Sequence, residues 1–259
     1  MTDKTRGARI STILNVLARD GELQVRVLPA LLGVSGATVR RDLATLEKNG
    51  LIRRSYGKIA AVRRGTELPL SVRQSQNAEA KRRIGTLLSS LLPNRPLTLA
   101  LSAGSTVGYV AQSLACRAGL TVVTNGLDTA AALAAQHTVK VEVTGGIARP
   151  LTHDLVGKRA KAALRAHQFD FAIVGADGIC PRAGFTQHSS SGAEIDRIML
   201  EQARHTIVVA DSSKLGRVRQ AKFADTGAVN TVITDSYANV DMIASLRNAR
   251  VRTVLAFLP

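Results

Sequence analysis

The stretch "LGVSGATVRRDLATLEKNGLIRR", Leu32–Arg54, sets what the first quarter of this chain can be. Val39, Leu43 and Leu46 recur at i, i+4 and i+7, one face of a helix. Ser35 stands just ahead of that run, where its hydroxyl can accept a bond from a free backbone N–H, and Gly50 closes it. Arg40, Arg41 and Lys48 fall off the apolar stripe. Downstream, "GLIRRSYGKIAAV" reads as strand, Gly turn, strand. Upstream, Ile10, Ile13, Leu14 and Leu17 mark a first helix that Gly21 stops. "VRVLPALLG" makes a short second helix in which Pro29 is tolerated only in the first turn. Three short helices and a basic hairpin describe a winged helix-turn-helix over residues 1–62. Its third helix would enter the major groove of a double-stranded DNA operator. Ser35, Thr38, Arg40 and Arg41 lie at the start of that helix, where base edges are met, and arginine is the favoured guanine reader. Arg53, Arg54 and Lys58 straddle the hairpin and are expected to reach phosphates.

Charge supports this reading. The chain has 259 residues and a formal net charge of +16. Residues 1–74 carry 14 Lys/Arg against 6 Asp/Glu, so under a third of the chain holds half of the excess. Concentrated positive charge points to a polyanion. Length favours two domains. Aromatics make up only 3% and Trp is absent, so aliphatic side chains must fill the core. No apolar run approaches the ~20 residues of a membrane span. "MTDKTRGARIS" has no apolar segment of the kind that leads secretion. Cys116 and Cys180 are isolated and the five histidines show no paired spacing, so neither a disulfide framework nor a metal site is expected. A reduced, cytoplasmic setting fits, with no membrane partner and no cofactor.

"RRGTELPLSVRQSQN" is polar, without periodicity, and contains Pro69; it is expected to be a linker over residues 63–77. From residue 78 to 259, strand-like and helix-like segments alternate. "LTLAL", "LTVVT", "VKVEVTG", "FDFAIVGA", "TIVVAD" and "VNTVIT" are short runs rich in β-branched residues. "AEAKRRIGTLLSSLL" and "VGYVAQSLACRA" are helical. This predicts an α/β domain with a mainly parallel sheet. In such folds ligands bind where strands end. There the sequence places Ser102, Gly104, Ser105 and Thr106, then Asn125, then Gly145, Gly146 and Arg149, then Asp177, then Lys214. Glycine, hydroxyl, amide and cationic groups recurring at five strand exits predict a small anionic ligand. "SAGST", leading into a helix, suits a phosphate. Glu79, Lys81 and Arg82 read as a solvated helix face.

These two sets of residues resemble the DeoR family of bacterial transcription regulators. Ser35, Thr38, Val39, Arg40, Arg41, Asp42, Leu43, Leu46, Glu47, Gly50, Arg53 and Gly57 stand where the family's DNA-binding signature has them, with Lys58 in place of the second wing glycine. The strand exits are similar to the family's sensor domain, whose fold is related to ribose-5-phosphate isomerase. The resemblance implies a phosphorylated sugar effector, its phosphate held by Gly104, Ser105 and Thr106 with charge from Lys214. It implies further that Thr124, Asn125, Asp177 and Glu194 meet hydroxyls. Ser102 stands where the family usually has Asp.

Two functions are expected to compete. One is a repressor of carbohydrate-metabolism genes that acts as a homo-oligomer, dimer or tetramer, on repeated half-sites. The other is a sugar-phosphate isomerase-like enzyme. Such an isomerase needs a base and a carbonyl polariser. Glu194 falls where the isomerase resemblance puts the base, but Phe185 occupies the position of its catalytic lysine. A phenyl ring polarises nothing, so no catalytic residue is expected and the regulator reading leads.

Overall fold

A computed structural model describes residues 6–48, 50–61 and 67–257. Two compact units divide the chain, Met1–Gln76 and Asn77–Pro259.

The first unit runs α1 (Arg6–Asp20), β1 (Glu22–Gln24), α2 (Leu28–Leu32), α3 (Gly36–Lys48), β2 (Ile52–Ser55), β3 (Lys58–Ala61) and α4 (Leu70–Ser75). Pro29 sits in the first turn of α2, which Gly33 ends in a left-handed conformation (φ 69°). Ile10, Ile13, Leu14 and Leu17 of α1 pack with Val39, Leu43 and Leu46 of α3 and with Ile52 and Ile59 of the hairpin. The hairpin gains a third strand, since β1 pairs antiparallel with β3. The expected linker over 63–77 is corrected in part. Residues 70–75 form α4, and its Val72 is buried in the same core as α1 and α3. Pro69 starts this helix rather than breaking one, because a first-turn proline gives up only an N–H that would have had no partner. Residues 63–66 lie outside the described residues.

The second unit runs α5 (Ala78–Leu91), β4 (Leu97–Leu101), α6 (Ser105–Leu114), β5 (Leu120–Thr124), α7 (Leu127–Ala134), β6 (Val139–Val143), β7 (Ile147–Ala148), β8 (Leu155–Val156), α8 (Lys158–Arg165), β9 (Phe169–Gly175), β10 (Gly178–Cys180), β11 (Gly184–Gln187), α9 (Ser190–Glu201), β12 (Ala203–Val209), β13 (Ala221–Ala224), β14 (Thr231–Asp235), α10 (Val240–Asn248) and β15 (Arg252–Ala256). Seven strands make one sheet in the order β15-β14-β12-β9-β4-β5-β6. Every pairing in it is parallel. The strands are apolar on both faces, so successive residues feed opposite cores. Leu99, Leu101, Val122, Ile173 and Val209 pack under α5, α6 and α7. Ala100, Val123, Ala172, Val174 and Val208 pack under α8 and α9. That period of two, with helices on both sides, is the three-layer arrangement a parallel sheet requires. Helix α5 closes on α6 through Gly85, where a Cβ would lie 2.7 Å from the Tyr109 carbonyl oxygen.

Strand order reverses between β4 and β9. From β4 the chain steps outward through β5 to β6, then returns to β9 on the other side and steps through β12 to β14 and β15. The crevice beyond the carboxyl ends of two strands that diverge in this way is where open α/β sheets bind ligands. Two small antiparallel sheets, β10-β11-β13 and β7-β8, grow from exits on that same edge.

Candidate functional site

The helix expected to face DNA is α3. Ser35 caps it, its Oγ accepting from the Thr38 N–H at 3.3 Å and lying 3.1 Å from the Thr38 hydroxyl. Arg40 and Arg41 are exposed, while Val39, Asp42, Leu43 and Leu46 are buried. Asp42 is the polar member of that buried stripe. The Arg9 Nε donates to its Oδ2 at 2.8 Å, and the Arg6 Nε lies 3.3 Å from its Oδ1. Two arginines of α1 therefore fix the rotation of α3 about its axis, and with it the direction in which Arg40 and Arg41 point. Arg53 is exposed on β2. Arg54 turns back toward α3, 3.2 Å from the Glu47 carboxylate and donating to the Arg40 carbonyl at 3.4 Å. Lys58 pairs with Glu22 of β1 at 2.6 Å. Of the three cations expected to reach phosphates from the hairpin, two are thus engaged within the chain.

The second site is the edge where β12, β9, β4, β5 and β6 end side by side. After β4, Ser102 is buried, and its Oγ accepts from the Gly175 N–H at 3.2 Å, joining the two strands at the reversal. Gly104, with φ 131°, turns the chain into α6, whose start carries no side-chain cap. The first-turn N–H groups of a helix have no partner within it, and here Ser105 and Thr106 stand beside them. After β5, both ends of the Asn125 amide are taken. Its Oδ1 accepts from Ala103 N–H and its Nδ2 donates to the Leu155 carbonyl, each at 3.1 Å. Thr124 Oγ1 accepts from the Gly126 N–H at 3.0 Å. The resemblance assigned both side chains to ligand hydroxyls; here Asn125 ties the exits of β4 and β5 to β8, and Thr124 braces the turn after β5.

After β6 the chain turns through Gly145 and Gly146 into β7. At Gly146 a Cβ would fall 2.5 Å from the Val156 carbonyl oxygen, so only glycine allows that close approach. Arg149 Nε reaches both carboxylate oxygens of buried Asp154, at 2.9 and 3.1 Å. After β9, buried Asp177 accepts from the His188 N–H at 3.2 Å. Glu194 lies on α9, half-exposed, and pairs with Lys161 of α8 at 2.8 Å. After β12, Asp211 and Lys214 flank Ser212 and Ser213.

Two groups here were not read from the sequence. Asp196, on α9 below Glu194, is buried against Ser102, Gln187, Asp154 and Asp177. Burial first, and the two neighbouring carboxylates with it, push its carboxyl well above the usual range. Lys81 was expected on a solvated face, yet its side chain is 2% exposed and its Nζ lies 3.9 Å from Asp211 Oδ2. The Asn77 Nδ2 donates to the same carboxylate at 2.7 Å. Burial alone would raise the Asp211 carboxyl, but Lys81 and Lys214 outweigh it and hold the group below its ordinary value. Phe185 lies in β11, fully buried against Phe223 with ring centroids 6.0 Å apart, so it serves the core. Among the described residues no His, Cys, Asp and Glu side chains gather as a metal site, and no helix is long and apolar enough to cross a membrane.

The family model described as the DeoR-like helix-turn-helix domain matches residues 9–64, and that of the DeoR C terminal sensor domain matches residues 76–236. The HTH-type transcriptional regulator GlpR of Haloferax volcanii is 31% identical over 93% of this chain and 94% of its own length. The glycerol-3-phosphate regulon repressor of Escherichia coli K12 is 27% identical over 95% of this chain and 98% of its own. Among solved structures, ribose 5-phosphate isomerase A from Methanocaldococcus jannaschii aligns with 54% of this chain and 55% of its own, at 17% identity and a TM-score of 0.41.

Proposed function

Because the chain belongs to the DeoR family of DNA-binding transcription regulators, we propose that it represses carbohydrate-metabolism genes and that a phosphorylated sugar, bound at the carboxyl edge of the seven-stranded sheet, modulates its grip on the operator. The observation that supports the effector is the alignment of five polar exits along one edge, centred on the strand reversal, with the uncapped start of α6 among them. Helix-start amides attract an anion, and the Ser105 and Thr106 hydroxyls add donors. Lys214, two strands away from β4 in the sheet, adds a cation at the same edge. Arg149, Asp177 and Glu194 supply the polar groups that would meet the sugar.

One winged helix per chain grips DNA weakly, so a homo-oligomer, dimer or tetramer, on repeated half-sites is the working form. Operator binding supports a cytoplasmic location. Control then follows from unequal affinity of the effector for two conformations. The isomerase alternative lacks a polarising group, since Phe185 is spent in the core.

The test is a DNA-binding titration on the duplex upstream of the chain's own gene, with and without a panel of sugar phosphates. A phosphorylated sugar should shift operator affinity, and its unphosphorylated form should not. Thr106→Val should weaken the effector by ~1–2 kcal/mol and Lys214→Ala by ~1.5–3 kcal/mol, while basal operator affinity survives. A broad panel that leaves both calorimetric heat and DNA affinity unchanged would remove the sensor reading.

A further inference from the structure

The hairpin tip carries an exposed aromatic side chain. Ser55 pairs with Lys58, so the turn between β2 and β3 is only Tyr56 and Gly57. Both have positive φ, 44° at Tyr56 and 74° at Gly57. Glycine adopts that conformation freely, and Asn or Asp tolerates it, but a bulky aromatic does so against steric resistance. Tyr56 is also fully exposed, at 104%. The residue is therefore unfavourable twice over in the free protein: its backbone is strained and its ring lies wholly in water. Among the described residues no side chain covers the ring.

The cations beside it are engaged elsewhere. Arg54 reaches back to Glu47 and the Arg40 carbonyl, and Lys58 pairs with Glu22. Arg54 also bonds the body of α3 itself, so the tip projects from an element braced against the helix that carries Arg40 and Arg41. What the tip offers is an aromatic ring rather than a charge.

We propose that Tyr56 is a DNA-contacting residue, its ring packing against the sugars and base edges of the groove next to the one α3 enters. The proposal rests on the DNA-binding reading of α3 and extends it to a group that the charge pattern does not mark. Apolar and aromatic side chains contribute to nucleic-acid binding by stacking and wedging, which every sequence can accept. A neutral ring displaces no counterions. Its removal should weaken binding without changing the salt dependence, whereas loss of a phosphate-contacting cation flattens the salt slope by about one.

The experiment compares Tyr56→Asn, Tyr56→Phe and the double variant Arg40→Ala/Arg41→Ala in the full chain. Binding is followed by fluorescence anisotropy on the duplex upstream of its own gene and on a scrambled duplex of equal length, over a range of salt. Tyr56→Asn should lose about tenfold in affinity on both duplexes at unchanged salt slope, the loss expected when roughly 60 Å² of apolar ring surface is no longer buried in the groove. Its melting temperature should equal or exceed that of the parent, because asparagine relieves the backbone. Tyr56→Phe should bind as the parent does. Unchanged affinity in Tyr56→Asn overturns the proposal, as does a lower melting temperature, which would mean that the ring packs within the fold. A Tyr56→Phe variant as weak as Tyr56→Asn overturns the assignment to the ring and gives the contact to the hydroxyl. If the double arginine variant keeps full affinity, the α3 reading fails, and the Tyr56 outcome still decides the wing contact by itself.

Discussion

Replacing Asp42 should unfold the DNA-binding unit while sparing the sensor unit. The carboxylate is 2% exposed and the Arg9 side chain beside it 10%, and they meet through Nε–Oδ2 at 2.8 Å and a longer Nη2–Oδ1 bond at 3.4 Å. Arg6 adds a third, exposed contact at 3.3 Å, which screening by solvent leaves worth little. The magnitude therefore lies in the Arg9 pair. Asp42→Ala removes the anion that the buried Arg9 guanidinium faces and breaks a buried ion pair, a loss of about 3–5 kcal/mol. A unit of this size has only ~5 kcal/mol or so to lose. Asp42→Asn keeps the shape and one acceptor but exchanges charge-assisted bonds for neutral ones, and should cost about half as much. The assay is urea unfolding of the full chain followed by circular dichroism, in which the second unit supplies an internal standard. In Asp42→Ala the first transition should move to low urea while the second stays in place, and operator binding should vanish with the first. The double variant Arg9→Met/Asp42→Leu should recover most of the loss, because a well-packed apolar pair avoids the desolvation of two ions. A destabilisation of Asp42→Ala below ~1 kcal/mol, or a double variant no better than the single, would refute the argument that this pair orients α3.

Other consequences follow from buried charge in the sensor unit. Asp196 has a folded-state pKa raised above its unfolded value of ~3.9, so its contribution to stability is complete below that value and is lost as pH rises through the folded one. Asp196→Asn should accordingly raise the melting temperature at neutral pH and flatten its pH dependence; a lower neutral-pH melting temperature would contradict this. Asp211 has the opposite sign, with stability present above ~3.9 and lost as pH falls through its depressed value. Lys81→Met should destabilise the sensor unit by roughly 3 kcal/mol, because Asp211 stays buried with one cation fewer, and guanidinium unfolding would measure it.

How much of this was readable from residue order depended on the distance over which each feature is decided. Helix α3 is local: its cap, apolar stripe and closing glycine lie within sixteen residues of one another, and Ser35, Val39 and Gly50 each perform the task that their chemistry suggests. Five of the six strand-like runs are local in the same sense, since a strand buried on both faces must be largely apolar; the sixth, Val139–Val143, is an edge strand with Lys140 exposed. Helix α4 escaped because six residues are too few to show a period, and its two inward side chains, Leu70 and Val72, are stabilised by packing rather than propensity. Strand β15 escaped for a related reason, being an edge strand that becomes one only by pairing with β14.

Buried ion pairs between distant segments follow no local rule. Lys81 stands three and seven residues before Ile84 and Leu88, on the buried stripe of α5, so the helical period separates it from the exposed Arg82 and Arg83, which pair with Glu79 one turn away. What buries it is the exit of β12, 130 residues later, where Asp211 closes over its ammonium group. The period marks the buried position, but a lysine there is tolerated only with a partner, and the sheet order alone supplies it, because Asp211 offsets the desolvation cost. The same holds for Asn125. Its amide has the chemistry to recognise a sugar hydroxyl, and the motif alone suggests that role. The exit of β4 brings the Ala103 N–H and β8 brings the Leu155 carbonyl within reach, so one acceptor site and one donor of the amide are engaged within the fold. Residue type therefore sets what a strand-exit side chain can bind, and the order of strands decides whether it remains available to bind it.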